Sequence, residues 1–431
     1  VIVKLPYGED DVALDLRGLR VKPLAPSAPP GSRVVRALVQ EAVDRPLEGP
    51  PLAELAQGRS SATVIVPDWT RSIPLPEILP AILDRLRRGG IESAATTIVI
   101  ACGTHPKQDA SELAPLVGDL PKGVAVVQHD AREAGGLVPA GELRPGVELR
   151  LARPAMDCEL LVTVGGVRHH YFAGFGGGPK MVFPGVGGYA EIQANHSLVL
   201  QRAGGELVRD RRCEPGLLDG NPVAEEIARA AQIRQPGLAV CTVAGREGGV
   251  AWVGAGPWRT AFEAAVERVR EWYELPPRKD FDLMVACGGG RPTDSTLIQA
   301  HKGLDAACRF LPDGGEILYV AAMDQGLGSP EMQPFVDDPR PESILASLED
   351  RWVQYGHTTL RVVEKTSRVK VWLHSTLDAA IGTRLGFEPT PDPETVVQRW
   401  RDERPGATVG VMVGAAVFPR AESPSSNERC P

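Results

Sequence analysis

Short, β-branched apolar runs alternate with amphipathic helical patterns along most of the chain. The runs at 62–67, 96–101, 124–129, 159–164, 237–243, 282–286, 316–321, 369–373 and 409–413 are the candidate strands. Many are almost continuously apolar, as strands buried on both faces of a parallel sheet are. Helical stretches lie between them. Residues 77–88 gather Ile78, Leu79, Ile82, Leu83 and Leu86 on one face and stop at Gly89-Gly90. Asn221-Pro222 reads as an N-cap followed by a first-turn proline, opening a helix to Gln232. Residues 257–274 space Phe262, Val266, Val269 and Tyr273 at helical intervals. This alternation predicts an α/β chain with mainly parallel sheets.

A chain of 431 residues exceeds one typical domain. The best boundary is Leu275-Pro276-Pro277-Arg278-Lys279, which follows the longest amphipathic helix and precedes a new strand. It divides the chain into a larger N-terminal α/β domain, 1–274, and a smaller C-terminal α/β domain, 275–418. Residues 419–431, rich in Ser and polar groups, read as a disordered tail. A net charge of −8 argues against a nucleic-acid partner and puts the weight of any anion site on individual Arg and Lys residues. Cys102, Cys158, Cys213, Cys241, Cys287, Cys308 and Cys430 are scattered, without a CxxC pair, and read as reduced core thiols. No stretch approaches the roughly 18 apolar residues of a membrane span. The opening Val1-Ile2-Val3-Lys4-Leu5-Pro6 is too short and too soon polar for a signal peptide. The expected setting is the cytoplasm, with no membrane partner.

The most unusual segment runs from Gly165-Gly166-Val167-Arg168-His169-His170 through Tyr171-Phe172-Ala173-Gly174-Phe175 to Gly176-Gly177-Gly178-Pro179-Lys180, directly after a candidate strand. Glycines after a strand let backbone N–H groups approach an anion. A P-loop needs Gly-Lys-Ser/Thr, but Pro179 precedes Lys180 and Met181 follows it. The dinucleotide fingerprint fails where Pro179 interrupts the pattern begun at Gly174. Alone, the segment is either an anion-binding loop or a structural glycine turn.

Three of the eight histidines sit in suggestive places. His105 follows the strand ending at Ala101, His170 lies inside the glycine segment, and His196 sits in Ala194-Asn195-His196-Ser197. Ligands in open α/β sheets bind at the carboxyl ends of strands. None of the three forms an H-E-x-x-H pair, so a zinc hydrolase is not indicated. Asp68-Trp69-Thr70-Arg71 closes another strand and is either an anion-binding turn or a capping turn. Later in the chain, Cys287-Gly288-Gly289-Gly290 leads to a helix where Gln299 and Lys302 share a face. That face suits an anion or plain solvent.

In order from Asp68 to Trp352, these segments together resemble the lactate racemase family. The resemblance rests on Asp-x-Thr-Arg, Gly-Thr-His, the His-x-x-x-Gly-x-x-Gly-Gly-x-Lys block with Pro184-Gly185 beyond it, Asn-His, and Gln-x-x-Lys. It implies two α/β domains with the active site in the cleft between them. It also implies a nickel-pincer nucleotide (pyridinium-3-thioamide-5-thiocarboxylate mononucleotide with nickel) bound covalently at Lys180. His196 would be the protein's nickel ligand in a square-planar set. His105 and His170 would be the two acid/base residues. Asp68, Thr70, Gly176, Gly177 and Gly178 would lie against the nucleotide, and Arg71, Gln299, Lys302 and Trp352 would bind substrate.

The implied reaction inverts the Cα of a 2-hydroxy acid by hydride transfer through a 2-keto acid, the cofactor carrying the hydride step. Separate biosynthesis proteins make the cofactor, so purified protein can lack it. Ile298 stands where lactate-specific members are expected to carry Tyr, which points to a 2-hydroxy acid with a larger aliphatic side chain. Two other readings share the glycine loops: a nickel-independent nucleotide- or phosphate-dependent α/β enzyme, and a binding homologue without turnover.

Overall fold

The computed structural model describes the whole chain except residues 28–30, 32, 72, 246–248, 279–280 and 421–431. The chain forms two compact units. The larger comprises Ala28–Val199 and Asp210–Trp272, and the smaller comprises Val1–Ser27, Leu200–Arg209 and Tyr273–Pro431.

A six-stranded sheet organises the larger unit, in the order Val250–Gly256, Leu238–Ala244, Leu160–Gly166, Ala62–Pro67, Thr96–Ala101, Ala125–Gln128. Every pairing is parallel except the antiparallel edge formed by Val250–Gly256. Ala62–Pro67 and Thr96–Ala101 coincide with the runs expected from sequence. All six residues of Ala62–Pro67 are buried, which is why they alternate so little. The helix Leu75–Arg88 turns Leu75, Ile78, Leu79, Ile82 and Leu86 into the core beside Val64 and Val66. Pro222–Ile233 begins as expected, with the Asn221 side chain accepting from the N–H groups of Val223 and Ala224.

The sheet of the smaller unit is wholly parallel, in the order Phe387–Pro389, Lys370–His374, Glu316–Val320, Leu283–Cys287, Thr408–Val413, Arg20–Pro23. Leu283–Cys287 is buried throughout and runs into the glycines that precede the helix Leu297–Cys308. Thr296 caps that helix, its hydroxyl oxygen accepting from the Gln299 N–H at 3.3 Å.

The chain passes between units beside Tyr273, close to the expected boundary, although Lys279 lies outside the described residues. The single division at 274/275 differs from the structure at 1–27 and 200–209, which belong to the smaller unit. The reason is pairing. Arg20–Pro23 completes the edge of that unit's sheet beside Thr408–Val413. The hairpin Ile2–Tyr7/Asp10–Asp15 buries Leu5 and Leu14 in one cluster with Val397 and Trp400. At the hairpin tip, the Gly8 N–H donates to Asp294 Oδ2 at 2.9 Å. Leu200–Ala203 and Glu206–Arg209 form a second hairpin, and Arg209 pairs with Glu364 at 2.9 Å. Of the expected tail, Pro419 pairs in a short strand with Leu275, and residues 421–431 lie outside the described residues.

Candidate active site

Parallel strands bring their carboxyl ends to one edge of the larger unit's sheet, and most of the expected site residues follow those ends. Asp68 leaves Ala62–Pro67 and is buried. His105 follows Thr96–Ala101 in a loop tied down by the Gly103 N–H donating to Gly185 O at 3.0 Å. Asp68 Oδ2 lies 2.6 Å from His105 Nδ1, and Oδ1 accepts from the Thr70 hydroxyl at 2.6 Å. A carboxylate only accepts, so His105 carries its proton on Nδ1 and presents Nε2 for proton exchange. Burial pushes the Asp68 carboxyl up, but the bond and charge of His105, with Arg71 and Thr70, hold it below the ordinary carboxylate range. Asp68 and Thr70, which the family resemblance places against a nucleotide, are thus engaged with His105 and with each other.

After Leu160–Gly166 the glycine segment folds back as a small hairpin, His169–His170 against Gly174–Phe175. Gly177 and Gly178 hold φ of +72° and +51°. A Cβ at Gly178 would lie 2.7 Å from Cγ of Phe262, and one at Gly177 would lie 2.8 Å from the Gly166 carbonyl carbon. Packing therefore requires both glycines, whatever binds beside them. A Cβ at Gly176 would meet nothing closer than 3.7 Å.

Lys180 sits in the turn Gly178–Met181, half-buried, with its N–H donating to Gly177 O at 3.0 Å. Burial, then the charges of Arg71 and Arg168, lower its ammonium to about 7. About half of such lysines are neutral amines at pH 7, where an ordinary lysine is almost wholly charged. Arg168 lies close enough to Arg71 and Asp68 to feel both charges, the first opposing its own and the second favouring it. Arg168 is exposed and stays charged, so the perturbed group of the cluster is Lys180. Arg71 and Arg168 thus lie near one carboxylate already engaged with His105, and both act on Lys180, a charge balance suited to an anionic ligand. Arg168 was not singled out from sequence; its position just before His169-His170, at a strand end, was the available signal.

His170 and His196 meet around Phe172. The ring centroids are 4.6 Å apart for His170 and Phe172, and 5.1 Å for Phe172 and His196. Lys180 Nζ lies 5.7 Å from the same Phe172 ring centroid. The Ala173 N–H donates to His170 Nδ1 at 3.2 Å, so the neutral His170 ring carries its proton on Nε2, the opposite tautomer to His105. His196 ends the helix Tyr189–His196 and is buried. That helix is braced from behind: Asn195 Nδ2 donates to Glu226 Oε2 at 2.9 Å, and Arg144 pairs with Glu226 while donating to Ala194 O at 3.0 Å. Among the described residues, no three His, Cys, Asp or Glu side chains are placed to hold a metal ion together.

In the smaller unit, Lys302 Nζ donates to Gln299 Oε1 at 2.6 Å, both half-buried on Leu297–Cys308. Trp352 lies on a different element, just before Gln354–Arg368, its ring 6.3 Å from that of His357. Sequence reading thus found residues that the larger unit groups: Asp68, Thr70, Arg71, His105, His170, Lys180 and His196. Gln299 and Lys302 form a second pair, and Trp352 stands apart from it in sequence.

The lactate racemase N-terminal domain family matches residues 7–206. A lactate racemase of Lactiplantibacillus plantarum is 30% identical over 325 residues, covering 73% of this chain and 74% of its own length. One from Thermoanaerobacterium thermosaccharolyticum is 29% identical over 355 residues, 81% of either chain. The lactate racemase apoprotein structure from the latter organism covers 98% of this chain and 100% of its own at a TM-score of 0.85 and 24% identity. A Thermotoga maritima protein covers 90% of this chain and 99% of its own at 0.65 and 16%. At these identities the two structures speak for the fold. With the sequence relatives spanning most of its length, the chain belongs to the lactate racemase family and is an isomerase.

Proposed function

We propose that this protein is a 2-hydroxyacid racemase or epimerase that works with a nickel-pincer nucleotide joined to Lys180. The observation that carries the reading is Lys180 itself, half-buried beside two guanidinium groups with its ammonium lowered to about 7. Such an amine is nucleophilic near neutrality, as covalent attachment requires. The residues fit the group in two further ways. Arg168 supplies positive charge for a nucleotide phosphate. The buried His196 offers one nitrogen donor, which suits a metal whose other ligands come from the nucleotide. Bound there, the pincer would supply the hydride acceptor and donor that protein side chains lack.

The chain's own part is proton handling and orientation. His105, held by Asp68, takes the substrate hydroxyl proton in one direction, and His170 serves the opposite direction. A pair is needed because inversion delivers to both faces of one carbon. General acid/base catalysis of this kind is worth roughly 10²–10⁴-fold. Substrate-binding roles are assigned to Arg71 and, in the smaller unit, to Gln299, Lys302 and Trp352. Gly176 has no packing reason to be glycine and is kept against the nucleotide. The six described cysteines are free thiols, and among the described residues no helix is long and apolar enough to cross a membrane. A cytoplasmic setting, where the cofactor-making proteins would act, completes the reading.

The test is intact mass and nickel content after coexpression with the cofactor-making enzymes. An adduct that vanishes in Lys180→Ala is expected. An unmodified chain that still turns over would point instead to a nickel-independent enzyme. Substrate follows from Ile298, which packs partly buried against the smaller unit's core. Racemisation of lactate, malate, 2-hydroxybutyrate and longer acids should favour a longer aliphatic chain; a clear preference for lactate or malate overturns that choice.

A further inference from the structure

Three of the residues assigned to chemistry, His170, Lys180 and His196, lie on separate stretches of the larger unit: the His169–His170 hairpin, the turn Gly178–Met181 and the helix Tyr189–His196. One side chain meets all three. Phe172 is 2% exposed and sits in the turn of the hairpin. Its ring stands nearly perpendicular to the imidazole of His170 (86°) and to that of His196 (79°). Edge-to-face contact of this kind has a preferred geometry, unlike contact with an aliphatic side chain. The Lys180 ammonium nitrogen lies within cation–π range of the same ring, 5.7 Å from its centroid.

Phe172 is itself held from behind. The Phe172 carbonyl accepts from Asn221 Nδ2 at 2.9 Å, and Asn221 is completely buried. The second Asn221 function, capping Pro222–Ile233 through Oδ1, fixes this amide to a helix. The same helix carries Glu226, whose Oε2 accepts from Asn195 beside His196. One helix therefore braces both the Phe172 turn and the His196 helix.

We infer that Phe172 is a positioning residue for the reaction, setting the ring orientations of His170 and His196 together, and that Asn221 holds it in register. The inference rests on the roles proposed above for those histidines. Tyr171 stacks at 5.2 Å from His170, and the Ala173 N–H donates to Nδ1; the perpendicular Phe172 ring adds a further constraint on the imidazole plane. Leucine would fill much of the volume without imposing the perpendicular geometry. Small misplacements of catalytic groups are costly: about 1 Å can cost roughly 10²-fold in rate.

Three variants test this: Phe172→Leu, Phe172→Tyr and Asn221→Ser, the last keeping an N-cap oxygen while removing the amide donor. In cofactor-free protein with isotope-labelled histidines, Phe172→Leu should shift the imidazole C–H resonances of His170 and His196 and leave those of His374, at the end of the strand Lys370–His374 in the smaller unit, in place. In cofactor-loaded protein, kcat for the best 2-hydroxy acid should fall about 10- to 100-fold with KM little changed. Phe172→Tyr should restore most of it. If Phe172→Leu does not fold, Asn221→Ser should show the same resonance shifts and a smaller loss of kcat. Unmoved resonances in a folded variant, or an unchanged kcat, overturn the inference. Shifted resonances with no racemisation by loaded wild-type protein would leave Phe172 in its role and remove the proposed reaction instead.

Discussion

Lys180 and Asp68 show how single residues at this site differ from their ordinary selves. Lys180 has a folded pKa of about 7 against 10.5 for a free side chain, so the unfolded chain binds the extra proton between those values. Its burial penalty is therefore complete below about pH 7 and shrinks as the pH climbs toward 10.5. Lys180→Met should raise the thermal midpoint more at pH 6.5 than at pH 9.5, measured by scanning calorimetry on cofactor-free protein. An equal gain at both would mean that the ammonium is not perturbed. Asp68 makes a different prediction. Asp68→Asn keeps a hydrogen-bonding side chain but removes the carboxylate that fixes the Nδ1 proton of His105. Loaded enzyme should lose about 10²-fold or more in kcat, within the range expected of acid/base catalysis, and the midpoint of its pH–rate profile should move. His105 and Lys180 were legible in sequence because each closes an apolar or glycine-rich run. The pairing of Asp68 with His105 was not, because they lie 37 residues apart and only adjacent parallel strands bring them together.

Two facing helices of the smaller unit carry a dense cluster of buried charge. Leu297–Cys308 presents His301 and Asp305, with Arg309 just beyond its end, and Gln354–Arg368 presents His357, Arg361 and Lys365. In each helix these residues recur every fourth position and so share a face. Asp305 Oδ1 pairs with Arg361 at 2.8 Å and Lys365 at 2.7 Å, and Oδ2 pairs with Arg309 at 3.0 Å. Burial pushes the Asp305 carboxyl up, but these three cations hold it well below its usual value. Asp305→Asn would remove the carboxylate that pairs with Arg361, 2% exposed, and with Lys365. Removing one member of a buried ion pair typically costs about 3–5 kcal/mol. The denaturation midpoint should fall accordingly, while Asp15→Asn, whose partner Arg17 is exposed, should change it little. Sequence patterning identifies elements buried on both faces, as Ala62–Pro67 and Leu283–Cys287 show. It missed elements exposed on one side: Arg20–Pro23, where only Val21 is even partly buried, and the hairpin at Leu200–Arg209. Their polar residues leave no apolar run, and only their partners far along the chain make them strands.

At the scale of the whole molecule, chain order and spatial order diverge. The boundary near 275, drawn where the longest amphipathic helix ends and a new strand begins, follows local pattern, and local pattern cannot show that the first residues join the last ones. That depends on Leu5, Leu14 and Leu16 sharing a core with Leu283, Val285, Leu318, Val409 and Trp400. The consequence is measurable. Leu14→Ala removes a side chain that is 1% exposed and should cost about 2–5 kcal/mol. Because the two units bury separate clusters, that cost should be local. Hydrogen exchange read by mass spectrometry should accelerate in Leu283–Cys287, Glu316–Val320 and Thr408–Val413, the parallel strands over that cluster. Ala62–Pro67 and Leu160–Gly166, which carry the residues before Asp68 and the glycine segment, should keep their protection. Acceleration confined to those two strands would place the N-terminal hairpin in the wrong unit. Acceleration everywhere would mean that the two units unfold as one.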